Sequence, residues 1–387
     1  MTTTLDRKAA NGRNERAAPQ AAASKTTPDG SAPHIEINGR RVGPGHPVYI
    51  IAEMSGNHNG SYERAVQILE ACAAAGVDAV KLQTYTPDTL TIDCDAEIFR
   101  IGSNNTWAGR TLYDLYGEAY TPWEWQPKLK NIADGLGIDL FSSPFDSTAT
   151  DFLDGMGVPA FKVASFECTD TPLVAYIAGK GKPVLMSTGM AALAQIDEAV
   201  RAAREAGAGP GKLLLFKCVS SYPAPAEAMN LRTIPHLASA FNVPVGLSDH
   251  TLGTEVPVAA VALGACAIEK HVTLSRADGG PDAQFSLEPD ELARMVKEIR
   301  NVEKAMGGVF YGPTEWEKPN RVFQRSLIVT ADLAAGEAFT TENLRSIRPG
   351  YGLAPKFIGD VLGRRASQPV KRGTPLSWGL VAGSGST

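Results

Sequence analysis

Eight short apolar runs recur along the chain, and each of them ends in polar residues. The runs span 48–54, 78–84, 138–145, 160–167, 183–189, 213–221, 243–251 and 267–273. Segments with helical spacing of apolar residues lie between the runs; one begins at Ser61 and stops at Gly76, and 191–206 and 289–306 are similar. Eight such alternations predict an α/β fold, a (β/α)8 TIM barrel. A doubly wound open sheet is the alternative, but no G-x-G-x-x-G follows the first run.

The alternation of apolar runs and helical segments is interrupted twice and ends after residue 306. Residues 85–120 and 275–289 are too long for plain strand-to-helix loops, and we expect the first, which is rich in aromatic residues, to shape a pocket. We predict a disordered leader at 1–33, because it is polar and has no apolar h-region. The predicted domains are a barrel at 34–306, a linker at 307–320, a small, mostly β module at 321–381 and a tail at 382–387.

Composition excludes several classes of function. The formal net charge of −5 gives no reason to expect nucleic acid as a partner. The sequence has no apolar stretch near the length of a membrane span, so no membrane association is expected. The five cysteines are odd in number and lack C-x-x-C spacing, which favours reduced thiols and a cytoplasmic location.

The polar ends of the runs predict one functional site. In a barrel of parallel strands, all carboxyl ends meet at one mouth, where such folds carry out their chemistry. The polar ends are Glu53; Lys81 and Gln83; Ser142 and Ser143; Lys162 and Ser165; Ser187 and Thr188; Lys217, Ser220 and Tyr222; Ser248, Asp249 and His250; and Glu269, Lys270 and His271. A buried charge needs a partner, so this convergence indicates a site that binds polar ligands.

Two histidines end adjacent runs and suggest a metal. Period-2 alternation places Ser248 with His250 on one face, and Glu269 with His271 on one face. Imidazoles beside carboxylates suit a divalent ion such as Mn2+, Mg2+ or Co2+, although two histidines are too few for a structural zinc site. The alternative is that both are hydrogen-bonding or acid/base groups without a metal.

Two lysines and four serines predict an anion site. Lys81 and Lys162 supply ammonium charges within otherwise apolar runs. The hydroxyls that would assist them are those of Ser143, Ser165, Ser187 and Ser248. Together they form a phosphate cradle; structural lysine–carboxylate pairs are the alternative. The absence of a Walker loop disfavours a nucleotide.

The C-terminal module is locally basic. Residues 342–372 carry seven Lys and Arg against two Asp and Glu. They form either a solvated basic face or a lid that brings an arginine to an anionic or amide-bearing ligand.

These motifs together resemble a known family. The segments IAEMSGNHNG, AVKLQTYTPDT, FSSPFD, KVASFE, STGMA, KCVSSYPA, GLSDHT and IEKHVTL are similar, in order, to those of the sialic acid synthase family. The tail RSLIVTADLAAGEAFTTENLRSIRPGYGL resembles that family's C-terminal antifreeze-like domain, a β-clip fold. The resemblance covers about residues 34–381. Such enzymes condense phosphoenolpyruvate with an N-acetylated hexose to give a nonulosonic acid.

The resemblance implies a role for each matching residue. His250 and His271 would be metal ligands, and Glu53 and Asp282 would be catalytic carboxylates. Phosphoenolpyruvate would be held by Lys81, which is also implied in catalysis, and by Ser143, Lys162, Ser165, Ser187 and Ser248. Gln83, Ser220 and Tyr222 would contact the sugar. Arg348, in SIRPG, would be contributed to a neighbouring subunit's site, which implies a domain-swapped homodimer.

Local segments indicate one subgroup of the family, and alternative functions remain open. SGNHNG, TYTPDTLT and TLYDLYGEAYTPWEW are most like the subgroup that makes pseudaminic acid, whose sugar is an N-acetylated deoxyhexose. Sialic acid synthases tend to have Asn where Ser220 stands, which fits a different sugar. Sialic or legionaminic acid synthesis is the nearest alternative. A metal-dependent pyruvate aldolase and a noncatalytic carbohydrate- or ice-binding protein are the remoter ones.

Overall fold

The computed structural model of the chain describes residues 33–102 and 107–383. The predicted leader, except residue 33, and the last four residues of the predicted tail lie outside the described residues. The strands are β1 (Ile35–Ile37), β2 (Arg40–Val42), β3 (Tyr49–Glu53), β4 (Ala79–Thr84), β5 (Asp139–Pro144), β6 (Phe161–Val163), β7 (Val184–Ser187), β8 (Leu213–Cys218), β9 (Val245–Asp249), β10 (Ala267–His271), β11 (Ser326–Val329) and β12 (Leu344–Ile347). The strands β3 to β10 form a closed parallel barrel in sequence order, with β10 beside β3. The prediction of a (β/α)8 barrel is therefore confirmed.

Helices follow the barrel strands, and further helices lie in the first long insertion and C-terminal to the barrel. They are α1 (Tyr62–Ala75), α2 (Pro87–Leu90), α3 (Leu112–Ala119), α4 (Gln126–Leu136), α5 (Ser147–Gly155), α6 (Thr171–Ala178), α7 (Leu193–Glu205), α8 (Thr233–Phe241), α9 (Glu255–Ala262), α10 (Pro289–Met306) and α11 (Ile358–Val361). Helix α1 begins and ends as its sequence predicts. The Ser61 hydroxyl accepts a hydrogen bond from the Arg64 amide, and Gly76 adopts the left-handed conformation that ends the helix.

One predicted strand is shorter than expected. The run 160–167 gives a strand that ends at Val163, and a 3-10 helix follows at Phe166–Thr169. The Asp170 side chain then accepts a hydrogen bond from the Leu173 amide and begins α6. The chain has to turn here to start the helix, so Ser165 and Glu167 lie on a turn above the barrel mouth.

An N-terminal hairpin, absent from the sequence-based prediction, packs on the amino-terminal end of the barrel. Strands β1 and β2 pair antiparallel, and Ile35, Ile37 and Val42 are buried in the barrel core. The Asn38 amide donates to Asp139 at 2.9 Å, and Arg40 pairs with Asp78. The hairpin thus supplies a cation to the carboxylate just before β4 and a hydrogen-bond donor to the one that begins β5.

The first long insertion contains helical structure. Helices α2 and α3 and a 3-10 turn at Glu97–Phe99 lie within 85–120, of which residues 103–106 are outside the described part. The second insertion contains two 3-10 turns, Arg276–Asp278 and Ala283–Phe285. Both follow carboxyl ends of barrel strands, so they can contribute side chains to the mouth.

The chain divides into two compact units between Gly307 and Gly308. In the second unit β11 pairs antiparallel with β12, with Ser326 opposite Ile347. This unit has its own core, which includes Leu327, Val329 and Phe339. The division falls at the start of the predicted linker; the finer boundaries at 320, 321 and 381 stay a prediction. Among the described residues, no helix combines the length and apolar character needed to cross a membrane.

Candidate active site

A cavity of about 960 Å3 opens at the carboxyl ends of the barrel strands. Its polar side is lined by the predicted site residues Lys81, Gln83, Lys162, Ser165, Ser187, Ser220, Tyr222, Ser248, His250, His271 and Asp282. Glu53 and Ser143 lie against the ammonium group of Lys81, with Glu53 at 2.5 Å and Ser143 at 3.3 Å. The fold therefore brings the barrel residues of the predicted site together; their roles stay predictions.

Some polar strand ends do not reach the cavity, contrary to the expectation from sequence. Lys270 and Asp249 form an ion pair that is fully buried, and neither lines the cavity. Their neighbours Glu269 and Ser248 do line it, because successive side chains of a strand point to opposite faces. Ser142 likewise bonds Thr84 at 2.6 Å instead of lining the cavity.

The two cavity lysines are ion-paired and almost fully buried. Lys162 donates to both carboxylate oxygens of Glu269, at 2.9 and 3.0 Å, and Lys81 lies 3.8 Å from the same carboxylate. The alternative interpretation from sequence, lysine–carboxylate pairing, thus describes the contacts present. It does not exclude an anion site, since Lys81 and Lys162 also line the cavity and would meet a ligand there.

The two carboxyl groups of this network differ in proton affinity. Burial raises the pKa of Glu53, and the attraction of Lys81 offsets this only in part. Burial also acts on Glu269, but the charges of Lys162 and Lys81 outweigh it and hold the pKa of Glu269 below its usual value. Glu53 is therefore the carboxyl of the network that accepts a proton more readily.

Small groups surround the side of the cavity near β7. The Ser165 hydroxyl accepts a hydrogen bond from the Gly189 amide at 3.2 Å. A Cβ atom at residue 189 would lie 2.4 Å from the Ser220 hydroxyl oxygen and 2.6 Å from that of Ser165. Within the described residues, the buried Ser187 hydroxyl has no hydrogen-bond partner. Ser165 and Ser220 can thus approach closely only because residue 189 has no side chain.

The two histidines lie side by side at the ends of β9 and β10. Their ring centroids are 5.3 Å apart, and Tyr222 packs 4.4 Å from His250. The Nδ1 atom of His250 lies 2.8 Å from the carbonyl oxygen of Val219, which can only accept, so Nδ1 carries a proton and a metal ion could bind only through Nε2. Burial and the charge of His250 lower the pKa of His271 well below its usual value, which leaves that ring neutral.

This arrangement fits a metal held by few protein atoms. The buried Nδ1 of His271 has no hydrogen-bond partner in the described chain and lies 3.8 Å from Asp282 Oδ2. In residues 33–102 and 107–383, no group of three or more His, Cys, Asp and Glu side chains could hold an ion. The fit is therefore to an ion with two histidine nitrogens as ligands and oxygen ligands from small molecules.

A chain of hydrogen bonds joins two predicted catalytic carboxylates. The Gln83 amide donates to Glu53 and to the Ser55 hydroxyl, both at 3.0 Å, and Ser55 donates to Asp282 through a short hydrogen bond. Gln83 was predicted to contact a sugar; in the structure its amide nitrogen contacts these two protein groups. Ser55 was not predicted, because a serine after a strand has no distinctive spacing.

The rest of the cavity lining is mostly apolar, and its charged exceptions are Arg100 and Glu167. Side chains of the first insertion line it, and these are Leu90, Ile98, Ile101, Trp107, Leu112, Leu115 and Tyr116. Glu167 also lines the cavity, and burial raises the pKa of its carboxyl to about 7. Sequence reasoning missed Glu167, although its place in KVASFE, just past a strand, is a signal that could have identified it.

Arg348 lies in the second unit, just after β12. Its guanidinium carbon is 5.9 Å from the centroid of the Phe323 ring, in the same unit. The predicted role of Arg348 in a neighbouring subunit's site stays a prediction.

Comparisons with known proteins identify both units. The model of the NeuB family matches residues 68–311, and that of the SAF domain matches residues 324–382. The chain is 44% identical to the pseudaminic acid synthase of Campylobacter jejuni, over 86% of this chain and 96% of that protein. It is 36% identical to the N,N'-diacetyllegionaminic acid synthase of Legionella pneumophila, over 89% of this chain and 97% of that protein.

A solved structure is also similar. The N-acetylneuraminic acid (sialic acid) synthetase of Leptospira borgpetersenii, in complex with citrate, has a TM-score of 0.66 and 30% identity, covering 75% of this chain and 95% of that one. The predicted resemblance is thereby confirmed. The chain belongs to the NeuB family and carries a C-terminal SAF domain.

Proposed function

We propose that the chain is a pseudaminic acid synthase. It condenses phosphoenolpyruvate and water with 2,4-diacetamido-2,4,6-trideoxy-L-altrose, and it releases phosphate and a nine-carbon acid. The proposal is supported by the 44% identity to the Campylobacter enzyme, against 36% for the legionaminic relative. The observation that carries it is a cavity lined by two lysines and several hydroxyls, and by mostly apolar side chains of the first insertion.

Phosphoenolpyruvate is assigned to the cationic side. Lys81 and Lys162 neutralise its phosphate and carboxylate, and both exchange contacts with Glu53 and Glu269 for contacts with the ligand. The hydroxyls that orient it are those of Ser143, Ser165, Ser187 and Ser248. Fixing the ligand in this way holds its C3 atom in place for attack.

The open-chain sugar is assigned to the space between the histidines and the apolar wall. A divalent ion such as Mn2+, Mg2+ or Co2+, held by His250 and His271, would supply Lewis acidity toward the aldehyde oxygen. Tyr222 and Ser220 contact the sugar at the cavity rim. The apolar side chains of the insertion face its C6 methyl and acetamido methyl groups, because these are the substituents that gain by leaving water.

The chemistry proceeds in two additions and one cleavage. C3 of phosphoenolpyruvate attacks the aldehyde carbon, and water adds at C2, where positive charge develops. The resulting hemiketal phosphate releases inorganic phosphate by C–O cleavage. Glu53 accepts and returns a proton, which its raised pKa favours, and Asp282 acts as the second carboxylate.

Assembly and location complete the proposal. We infer a domain-swapped homodimer in which the SAF unit brings Arg348 to the neighbouring subunit's site, in the cytoplasm, where the free cysteines would stay reduced. Light scattering that finds a monomer would contradict the dimer. An unchanged Michaelis constant for the sugar in Arg348→Ala would contradict the role of the arginine.

The first test is phosphate release from phosphoenolpyruvate with Mn2+. The deoxyaltrose sugar is compared with its mannose-configured analogue and with N-acetylmannosamine, and the product is identified by mass. Release with the altrose sugar alone supports the proposal, and loss of release on adding EDTA supports the metal. Preference for another sugar moves the assignment to legionaminic or sialic acid synthesis. A pyruvate aldolase would release no phosphate from any of these mixtures.

A further inference from the structure

Ser55 adopts a backbone conformation that its residue type disfavours. Its φ is 48°, in the left-handed region, where a side chain other than that of Gly, Asn or Asp is strained. Of the other described non-glycine residues with positive φ, four are asparagines and the remaining one is Met190. Ser55 and Met190 both line the cavity. Strain retained at such a place indicates that the surrounding contacts require the residue.

The hydroxyl of Ser55 supplies those contacts. A hydroxyl carries one hydrogen, and Ser55 donates it to Asp282 Oδ2 while accepting from the Gln83 amide at 3.0 Å. Gln83 is on β4, whereas Asp282 is in the insertion that follows β10. Ser55 therefore connects the start of the barrel to the loop that follows its last strand.

Few other groups restrain Asp282. Its carboxylate is buried, and the Nδ1 atom of His271 lies 3.8 Å from its Oδ2 atom, too far for a hydrogen bond. A glycine would adopt the same φ without strain but would leave this carboxylate without its hydroxyl donor.

We propose that Ser55 is a positioning residue, which fixes the Asp282 carboxylate and the Gln83 amide for the condensation. Its effect on turnover rests on the proposed function, whereas its coupling to Asp282 does not. The hydroxyl acts through these two side chains, so its removal affects the chemical step more than the binding of phosphoenolpyruvate.

Two variants separate the hydroxyl from the backbone. Ser55→Ala removes the hydroxyl and keeps the strained Cβ, and Ser55→Gly removes both. We expect each to lower kcat at least about tenfold, with the KM for phosphoenolpyruvate changed less than about twofold, since the hydroxyl of Ser55 bonds Asp282 and Gln83 and not the two lysines. Ser55→Gly should melt no lower than Ser55→Ala, because glycine tolerates positive φ.

Asn242→Gly is the matched control. Asn242 has a φ of 52° at the exposed end of α8, away from the cavity. Its replacement makes the same backbone change and should leave kcat unaltered. A kcat within about twofold of the wild type in Ser55→Ala and Ser55→Gly would overturn the proposal, and either variant suffices if the other does not fold.

A stability cycle tests the same contact without turnover. We expect the melting temperature of Ser55→Ala/Asp282→Asn to differ from the sum of the two single shifts by at least about 2 °C. Ser55→Ala/Asn242→Gly should be additive. If the melting-temperature shifts of Ser55→Ala and Asp282→Asn are additive, the proposal is overturned, even in a protein that releases no phosphate. A wild type without turnover that keeps this coupling would contradict only the proposed function.

Discussion

Two buried lysine–carboxylate pairs, one residue apart on β10, have opposite surroundings. The inner pair joins Glu269 to Lys162, and its members line the cavity. The outer pair joins Lys270 to Asp249 on the other face of the strands, where both side chains are fully buried. The barrel thus places a cavity-lining pair and a pair enclosed by the protein on consecutive residues of one strand.

The outer pair is satisfied by the protein itself. Lys270 also donates to the Thr251 carbonyl, and Asp249 accepts from the Thr251 amide at 3.1 Å and from its hydroxyl at 2.9 Å. These bonds hold the chain on either side of His250. The inner pair makes fewer hydrogen bonds to the rest of the protein; the Ser248 hydroxyl donates to Glu269 at 3.2 Å, and Lys81 lies 3.8 Å from the same carboxylate. Burial alone therefore does not mark a candidate site, because only one of the two buried pairs lies where a ligand could reach it.

Breaking the outer pair should have the largest effect on folding. Lys270→Met keeps the length of the side chain but leaves Asp249 charged and without its cation. We expect the free energy of unfolding to fall by about 3–5 kcal/mol, measured by urea denaturation. Lys297→Met, on the exposed face of α10, is the control. A loss below about 1 kcal/mol would show that the outer pair behaves like a surface pair.

Breaking the inner pair should affect turnover instead. Lys162→Met removes a charge assigned to phosphoenolpyruvate, and we expect kcat/KM to fall by about 10²–10³ in the phosphate-release assay. Lys81 lies 3.8 Å from Glu269 and partly compensates the charge of that carboxylate. The free energy of unfolding should therefore fall by less than in Lys270→Met. Lys180→Met, which breaks an exposed ion pair with Asp151, is the control. A larger loss of stability than in Lys270→Met would reverse the comparison.

A milder substitution tests how much the Thr251 hydroxyl stabilises the outer pair. Thr251→Val removes the hydroxyl that donates to Asp249 and preserves the shape of the side chain. We expect the free energy of unfolding to fall by about 1–2 kcal/mol, because a hydrogen bond to a charged group is lost. Urea denaturation measures this. Unaltered stability would mean that the Thr251 amide and Lys270 satisfy Asp249 without the hydroxyl.

The matching change at the inner pair should have the smallest effect. Ser248→Ala removes the hydroxyl that contacts Glu269, and we expect kcat/KM to fall by about tenfold or less with little change in the urea midpoint. Steady-state phosphate release and denaturation are measured on the same preparation. A drop in stability as large as that of Thr251→Val would show that the two faces are not distinct.

The sequence predicts the barrel and most of its mouth because both depend on local periodicity. Alternation over 267–273 correctly groups Glu269 with His271, and the same rule excludes Lys270, although the list of polar strand ends included it. The hairpin of β1 and β2 was missed, since its contacts with Asp78 and Asp139 join distant residues. Ser55 was missed because a left-handed φ leaves no mark in the residue order.

Gly189 has a consequence for redesign of the enzyme. A side chain there would collide with Ser165 and Ser220, on two other segments of the mouth. Variant libraries that seek activity on new sugars should therefore keep this position fixed. Such libraries should vary positions in the first insertion instead. Ile98, for example, is 84% exposed and can be exchanged without displacing a neighbour.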